Sequence, residues 1–416
     1  MRKKIFVFTV CGEDKHIHTL NFVLPYIRHF TKNEVLVVTD LKRNNIPIDH
    51  GQILDIDTPE RFNHHQASIY LKTGLFKIIE GENQYCYLDS DIIAMNEGID
   101  EIFKYKCGPV TFASDHCTMD EFSPYAINCG CIEEQKSKIE ILESVNSDYQ
   151  QIFSDYQQLI KQKDTQKLQA KLSGIKAKPF SNLPTVIRYL FFRFLSKKRY
   201  FYLDREYKFD KKKFAWFDKI DNLLIFDVSR YNREIESKTN LRFKRFSRKW
   251  VDENGSDIFD LQCRHLRMEI ENTFKIKIKK TKWTHWNGGV FLFDKDSVEF
   301  LKFWHDCSMK IFSNPKWKTR DQGTLIAAIW KFGLQNQPRL PQKFNFIADF
   351  YNHKVVYEKG HGYSTNNWKT VVQPSFLHVY HEFGKQDWDI WQSVEETLPD
   401  KLKCNVPQPG KAGIEN

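Results

Sequence analysis

Two periods of apolar residues alternate along the first ninety positions. Ile5 to Val10 and Val35 to Thr39 are short, continuous apolar runs of buried-strand length. Between them, from Thr19 to Phe30, the residues Leu20, Val23, Leu24, Ile27 and Phe30 recur at the three-and-four spacing of a helix. A β-α-β opening is predicted. The apolar patch Gln52 to Ile56 precedes a predicted helix from Gln66 to Glu80, and Tyr85 to Leu88 predicts a further short strand. Strands alternating with helices imply an α/β domain with a mostly parallel sheet, whose ligands gather at the carboxyl ends of the strands.

The texture changes from Glu133 to Lys280. Long polar and basic stretches such as Gln157 to Lys176 dominate there, and the one clear strand-like run is Leu223 to Val228, so a mainly helical insertion is predicted. Sheet character returns at Gly289 to Phe293. Helices from Ser297 to Phe312 and from Gln322 to Phe332 follow, with a last strand at Ser375 to Val379. The expected organisation is thus one half-domain over 1–115, an insertion over 116–280, a second half-domain over 281–395 and a polar tail over 396–416.

A chain of 416 residues with 41% hydrophobic, 15% aromatic and 28% charged positions has ample core and is not disordered. The longest greasy stretch, Val186 to Leu195, is interrupted by Arg188 and Arg193 and falls far short of the roughly 20 apolar residues that span a bilayer. The first residues lead straight into a strand without an export cleavage pattern. Nine cysteines without a C-x-x-C pair point to free thiols and a cytoplasmic setting; Cys107, Cys117, Cys129 and Cys131 with His116 match no zinc spacing.

The net charge of +10 is uneven. Between Arg188 and Lys213 ten Lys and Arg face only Asp204, Glu206 and Asp210, and aromatic residues interleave with the cations. Two readings stand: a solvated basic face held down by its aromatics, or a segment, 186–213, lying on an anionic membrane surface at the inner face of the membrane. No nucleic-acid motif accompanies the patch, so nucleic acid is not an expected partner.

Candidate chemistry begins at Tyr87-Leu88-Asp89-Ser90-Asp91, where two carboxylates follow a buried strand. Convergent carboxylates are hard oxygen ligands for Mg²⁺ or Mn²⁺, and such an ion neutralises a diphosphate so that it can leave a sugar carbon. Alone, an Asp-x-Asp is also a common surface turn. Trp286-Asn287-Gly288-Gly289 supplies a glycine turn where a ligand can approach the backbone. Arg320-Asp321-Gln322-Gly323 opens a helix, where Asp is equally frequent as a cap. Phe376-Leu377-His378-Val379-Tyr380-His381 offers two imidazoles, followed by Gly384 and Lys385.

The ordered set YLDSD, NGGVFLF, RDQGTL and HVYHEFGK resembles the metal-dependent GT-A glycosyltransferases, in pattern closest to glycogenin and the family-8 lipopolysaccharide sugar transferases. The likeness covers roughly 1–115 and 281–390. It implies a GT-A fold, a Rossmann-like nucleotide-diphosphosugar transferase core, and a hexosyl transfer in polysaccharide biosynthesis from a UDP-sugar to a glycan or lipid-linked acceptor, with retention of configuration. By the same resemblance, Asp89, Asp91 and His378, with His381 as the alternative, hold Mn²⁺ or Mg²⁺, and Asp321 and Gln322 lie beside the anomeric carbon. Thr9, Val10 and Gly12 hold the nucleotide; Lys72, Ser90, Asn287, Gly288 and Lys385 contact the donor. On its own Lys72 reads as a solvated helix lysine.

The gap between Asp91 and Asn287 is several times that of compact family members, which gives the insertion its own task, acceptor choice among them. The closing motif also departs, since Lys385 follows Gly384 directly. Two other functions remain on the table: a haloacid-dehalogenase-like phosphatase, whose aspartate pair also ends a strand, and a non-catalytic glycan-binding protein on the same fold.

Overall fold

The predicted apolar runs form strands because both faces of the sheet they build are covered. In β1 (Lys4–Thr9), Phe6 and Phe8 enter one core with helix α1 (Asp14–Phe30), while Ile5 and Val7 enter a second core on the other face. Strands buried on both sides read as continuous rather than alternating hydrophobic runs. A computed structural model describes residues 2–157, 162–212, 214–220, 222, 224–227, 230–244, 247, 249–260, 263–280, 283–349, 355–358, 361–365, 368–385 and 388–398. Most of the expected polar tail, from 399 onward, lies outside the described residues, as do the two ends of the expected strand Leu223 to Val228.

The chain divides into two compact units, one made of 1–129 with 262–416 and the other of 130–261. In the first unit β1 is joined by β2 (Glu34–Thr39), β3 (Ile53–Asp55), β4 (Gln84–Leu88), β5 (Ile92–Ala94), β6 (Thr111–Thr118) and, after the second unit, by β7 (Thr284–Phe293), β8 (Phe346–Ala348) and β9 (Phe376–Val379). The main sheet has the order β3-β2-β1-β4-β7-β6. Its first four strands are parallel, β7 runs antiparallel to β4, and β6 antiparallel to β7. The chain leaves β1 toward β2 on one side and returns to pair β4 on the other. The carboxyl ends of β1 and β4 therefore flank a topological switch point, where ligands of open α/β sheets bind.

A second sheet, β8-β9-β5, stands beside it. Because β5 follows Asp91 immediately and pairs antiparallel with β9 in the register Ile92 to His378, the end of the chain is brought back to the acidic turn. This pairing was not visible in sequence, since three-residue strands carry no period. The predicted helix from Gln66 to Glu80 is shorter: α2 (His64–Thr73) starts at a capping box between Asn63 and Gln66 and continues past Gly74 as a tighter 3₁₀ turn.

Aromatic rows cross the sheet. Phe291 in β7 stacks on Tyr87 of β4 (centroids 4.8 Å apart) and on Phe112 of β6 (4.7 Å), and Tyr85 stacks on Phe293 (5.0 Å). Helices α3 (Val298–Ile311) and α4 (Asp321–Lys331) cover this face, with Trp304 edge-on to Phe291.

The second unit, described by itself, is mainly helical and also carries a four-stranded antiparallel meander, Tyr200–Tyr202, Tyr207–Asp210, Ala215–Asp218 and Leu224–Asp227. Its strands are only three or four residues long, which hides them from a periodicity reading. Leu168, Phe192, Phe201, Phe209, Trp216 and Ile225 form a small core beneath them. Among the described residues all eight cysteines are free, and no helix is long and apolar enough to cross a membrane.

Phe291 is fully buried among four aromatic rings. Phe291→Ala is expected to cost about 3–5 kcal/mol of stability, read as a shift in the denaturant unfolding curve. A loss below about 1 kcal/mol would mean that this row is not a principal support of the sheet.

Candidate active site

The backbone sets the acidic turn before any side chain contributes. Asp89 N–H donates to the Gly289 carbonyl (2.9 Å), Ile92 N–H closes a turn onto the Asp89 carbonyl (3.2 Å), and Val379 N–H donates to the Asp91 carbonyl (3.1 Å). Two aspartates are thereby fixed between β7 and β9. One ligand atom from each of Asp89, Asp91 and His378 lies within 4.8 Å of the others. His378 Nε2 stands 3.4 Å from Asp91 Oδ1, an ion-pair contact rather than an aligned hydrogen bond, and that buried oxygen has no hydrogen-bond donor. The other ring nitrogen of His378 meets Asn345 Oδ1 at 2.9 Å, which orients the imidazole. His381 is engaged elsewhere, with Asp349 (3.0 Å).

Lys72 is buried, not solvated. Its ammonium bridges Asp89 (3.0 Å) and Asp321 (2.9 Å) above the ring of Tyr87. Burial works against charging Lys72, yet the two carboxylates outweigh it and hold its pKa well above the ordinary lysine value. For Asp89, burial raises the pKa; the Lys72 charge opposes this and Asp91 adds to it. For Asp91 and Asp321 burial also opposes ionisation, but His378 and Lys72 respectively prevail and lower them. Burial likewise disfavours the charged form of His378, and facing Asp91 raises its pKa nonetheless. Tyr87 OH donates to Asp89 (2.5 Å) and meets Thr9 Oγ1 (3.1 Å), tying the end of β1 to the acidic turn.

The glycine turn runs through the middle of this group. Pairing of β7 with β6 jumps from Asn287–Ala113 to Phe291–Phe112, so residues 288–290 bulge out of the ladder. A Cβ on Gly289 would sit 2.8 Å from His378 Cε1 and 2.9 Å from both Asp89 Oδ2 and Asn287 Oδ1; one on Gly288 would meet Gln322 Oε1 at 3.0 Å. Both positions need glycine for close approach, not for backbone conformation. Gln322 is spent on this turn: its Oε1 accepts from Gly288 N–H (3.0 Å), and its Nε2 donates to the Trp286 carbonyl.

Other expected residues take separate places. Val10 is buried at the end of β1, and Gly12, with φ of +79°, donates its N–H to Asn44 (2.9 Å). Ser90 is half-buried between the aspartates. Lys385, after β9, forms an ion pair with Glu382 (3.6 Å). Of the weighed residues, Cys129 lies with Cys263 and His265, and Cys117 and His116 lie with Asp115, one ligand atom of each within 4.8 Å of the others in its group, while Cys107 Sγ approaches the Pro338 carbonyl.

Sequence reading missed a polar layer behind the turn. Asn287 donates to Asp115 (3.0 Å), whose carboxylate also lies near His116 (3.2 Å) and the fully buried His285 (3.7 Å). Burial opposes ionisation of Asp115, and the imidazoles with Asn287 overcome it, holding the pKa at about 2. The available signal was a lone acid, Asp115, inside the strand-like run 111–118.

The donors fit a hard divalent ion: two carboxylates and one oriented imidazole, a buried Asp91 oxygen without a hydrogen-bond partner among the described residues, and a glycine keeping the space open. Charge accounting agrees, because three acids gather around one lysine and one histidine.

No protein-family model and no curated protein matches the chain. Solved structures similar to it include three glycosyltransferases. They are the apo form of the bifunctional glycosyltransferase WbbM (11% identity over 97% of this chain and 52% of that one, TM-score 0.41), the galactosyltransferase LgtC solved with donor and acceptor sugar analogues (10%, 97% and 100%, 0.38), and apo mouse xyloside xylosyltransferase 1 (6%, 92% and 99%, 0.37). The chain spans about half the length of WbbM. With TM-scores below 0.5 these likenesses carry no weight by themselves.

Removing the Lys72 cation leaves Asp89 and Asp321 facing each other. Lys72→Met is expected to cost roughly 3 kcal/mol, the low end for a broken buried pair because the carboxylates are partly exposed. Denaturant unfolding at neutral pH measures it, and an unchanged midpoint would show that other groups balance the acids.

Proposed function

We propose that this chain is a metal-dependent GT-A-type glycosyltransferase that moves a sugar from a nucleotide diphosphosugar, a UDP-sugar, to a glycan or lipid-linked acceptor with retention. The supporting observation is the meeting of Asp89, Asp91 and His378 within 4.8 Å, from segments nearly three hundred residues apart, against the Gly288-Gly289 bulge. In this reading the three residues hold Mn²⁺ or Mg²⁺. The ion, when bound, supplies charge neutralisation for the departing diphosphate.

The remaining roles belong to the chain. Asn345 orients His378, so the imidazole presents Nε2 to the site. The bulge leaves room for a sugar ring beside Asp321, whose carboxylate, kept ionised by Lys72, stabilises positive charge developing at the anomeric carbon. Gln322 acts as a positioning residue that clamps Gly288. Asn287, held by Asp115, turns toward the donor sugar, and Thr9, Val10 and Gly12 border the nucleotide at the switch point. Lys385 is assigned to the leaving phosphates. Acceptor hydroxyl and leaving oxygen share one face of the sugar, as retention without a carboxylate nucleophile requires. We place this activity in a reducing, cytoplasmic compartment, in keeping with the free thiols.

The phosphatase alternative needs its aspartate after a first strand and open to phosphorus. Here Asp89 follows β4 and is bound to Lys72 and Tyr87. A non-catalytic glycan binder remains distinguishable by turnover.

Mn²⁺-dependent hydrolysis of UDP-sugars is the direct assay. Asp91→Ala should lower it by at least about 10³-fold, the several kcal/mol that a bound metal supplies, while leaving the thermal transition in place. Activity that survives this change would remove the metal assignment, and turnover of p-nitrophenyl phosphate would favour the phosphatase. Asn345→Ala should weaken Mn²⁺ binding about 10–100-fold with kcat restored at saturating Mn²⁺. Loss of kcat that excess metal does not restore would mean Asn345 acts otherwise than through His378.

A further inference from the structure

The second unit presents an apolar surface that its own core does not use. The helix Leu183–Phe194 places Phe192 (5% exposed) and Tyr189 against Phe201, with ring centroids 5.5 and 5.3 Å apart. That contact accounts for one face. On the other side Ile187 is 55% exposed, Leu190 47%, Phe191 59% and Leu183 46%; Leu195 at the end of the helix is 74% exposed, and Phe180 just before it 88%. At 100° per residue the four helical positions fall within an arc of about 100°. A helix apolar on two faces with only one of them covered is not an ordinary surface helix.

Charge around the stripe is of one sign. Arg188 and Arg193 each lie about 60° beyond an edge of the arc, one on either side. Both guanidinium groups stand over aromatic rings, Arg188 over Phe201 (5.5 Å) and Arg193 over Phe214 (4.4 Å). Lys197 and Lys198 are exposed just past the end of the helix, and Lys176 and Lys178 just before it. Between Asp164 and Asp204 the chain has nine Lys and Arg and not one Asp or Glu. Asp204, which closes this window, is balanced by Lys171, and Asp210 beyond it by Arg199.

We infer that this helix docks on an anionic lipid bilayer, lying in the plane of the interface with Phe180, Leu183, Ile187, Leu190, Phe191 and Leu195 in the acyl boundary and the cations at the lipid phosphates. Charge complementarity selects this occupant. An apolar strip bordered on both sides and at both ends by cations matches a surface that is greasy beneath and uniformly negative above. A protein partner would meet this surface only by presenting acids on every side of an apolar ridge. The inference goes beyond the transfer reaction and does not depend on it, though it would bring a lipid-linked acceptor and the enzyme to the same surface.

Cosedimentation of the full chain with vesicles tests it. Vesicles of equal parts phosphatidylglycerol and phosphatidylcholine should carry the protein down, and vesicles of phosphatidylcholine alone should not. Ile187→Ser combined with Leu190→Ser should lower the partition coefficient at least about tenfold, since each buries an aliphatic side chain in lipid. Lys197→Glu combined with Lys198→Glu should lower it by about tenfold or more and reduce its salt dependence. All four side chains are exposed, so circular dichroism should be unchanged, and UDP-sugar hydrolysis without membranes should stay at the wild-type level. Failure to bind anionic vesicles, equal binding to neutral ones, or unaltered partition of both variants would overturn the proposal. So would a wild-type dimer that ignores vesicles and becomes monomeric on Ile187→Ser with Leu190→Ser, which would assign the face to a second copy of the chain. Hydrolysis and sedimentation are read separately, so failure of one leaves the other interpretable.

Discussion

Like charges brought close together are the constraint around which this molecule is arranged. Asp89, Asp91 and Asp321 meet at the end of a parallel sheet, where burial penalises ionisation and each carboxylate penalises its neighbours. The arrangement holds because a buried ammonium stands between Asp89 and Asp321 and an imidazole faces Asp91. Local structure serves that balance. The capped helix α2 delivers Lys72 from one side, helix α4 delivers Asp321 from another, and the β5–β9 pairing delivers His378 from a third. Residual negative charge of this kind is what a cation-dependent centre requires, whereas a purely structural network would be expected to close its own account.

The bulge at residues 288–290 links packing to chemistry. Phe291 and Phe293 anchor β7 in the aromatic rows, and the ladder to β6 resumes only at Phe291. Rigid stacking on one side of the bulge and the Gln322 clamp on the other hold two glycines where any side chain would strike His378, Asp89 or Gln322. An opening in the site is thus maintained by tight packing next to it.

Much of this was legible before any coordinates. Continuous apolar runs gave β1, β2 and β4 because strands buried on both faces leave that trace, and Asp89 and Asp91 were recognisable as strand-end carboxylates. His378 was joined to them by resemblance and favoured over His381 for its place inside the apolar strand, and the register of two very short strands brings His378 to Asp91 while His381 meets Asp349. Lys72 read as solvent-facing because a helical period of ten residues does not say which lysine stem turns inward. The layer of Asp115, His116 and His285 behind Asn287 was illegible, since its members come from two segments far apart in the chain and become meaningful only once those segments meet. The meander of the second unit escaped notice because its strands are only three or four residues long.

The order of the segments along the chain has a consequence for biosynthesis. Asp89 and Asp91 leave the ribosome early, before the whole 130–261 unit, whereas the imidazole facing Asp91 belongs to the last strand of its sheet. During translation the pair must wait, uncompensated by its third member, while an entire compact body is made and folded. A nascent polypeptide halted anywhere short of β9 would therefore hold Asp91 without the imidazole that faces it.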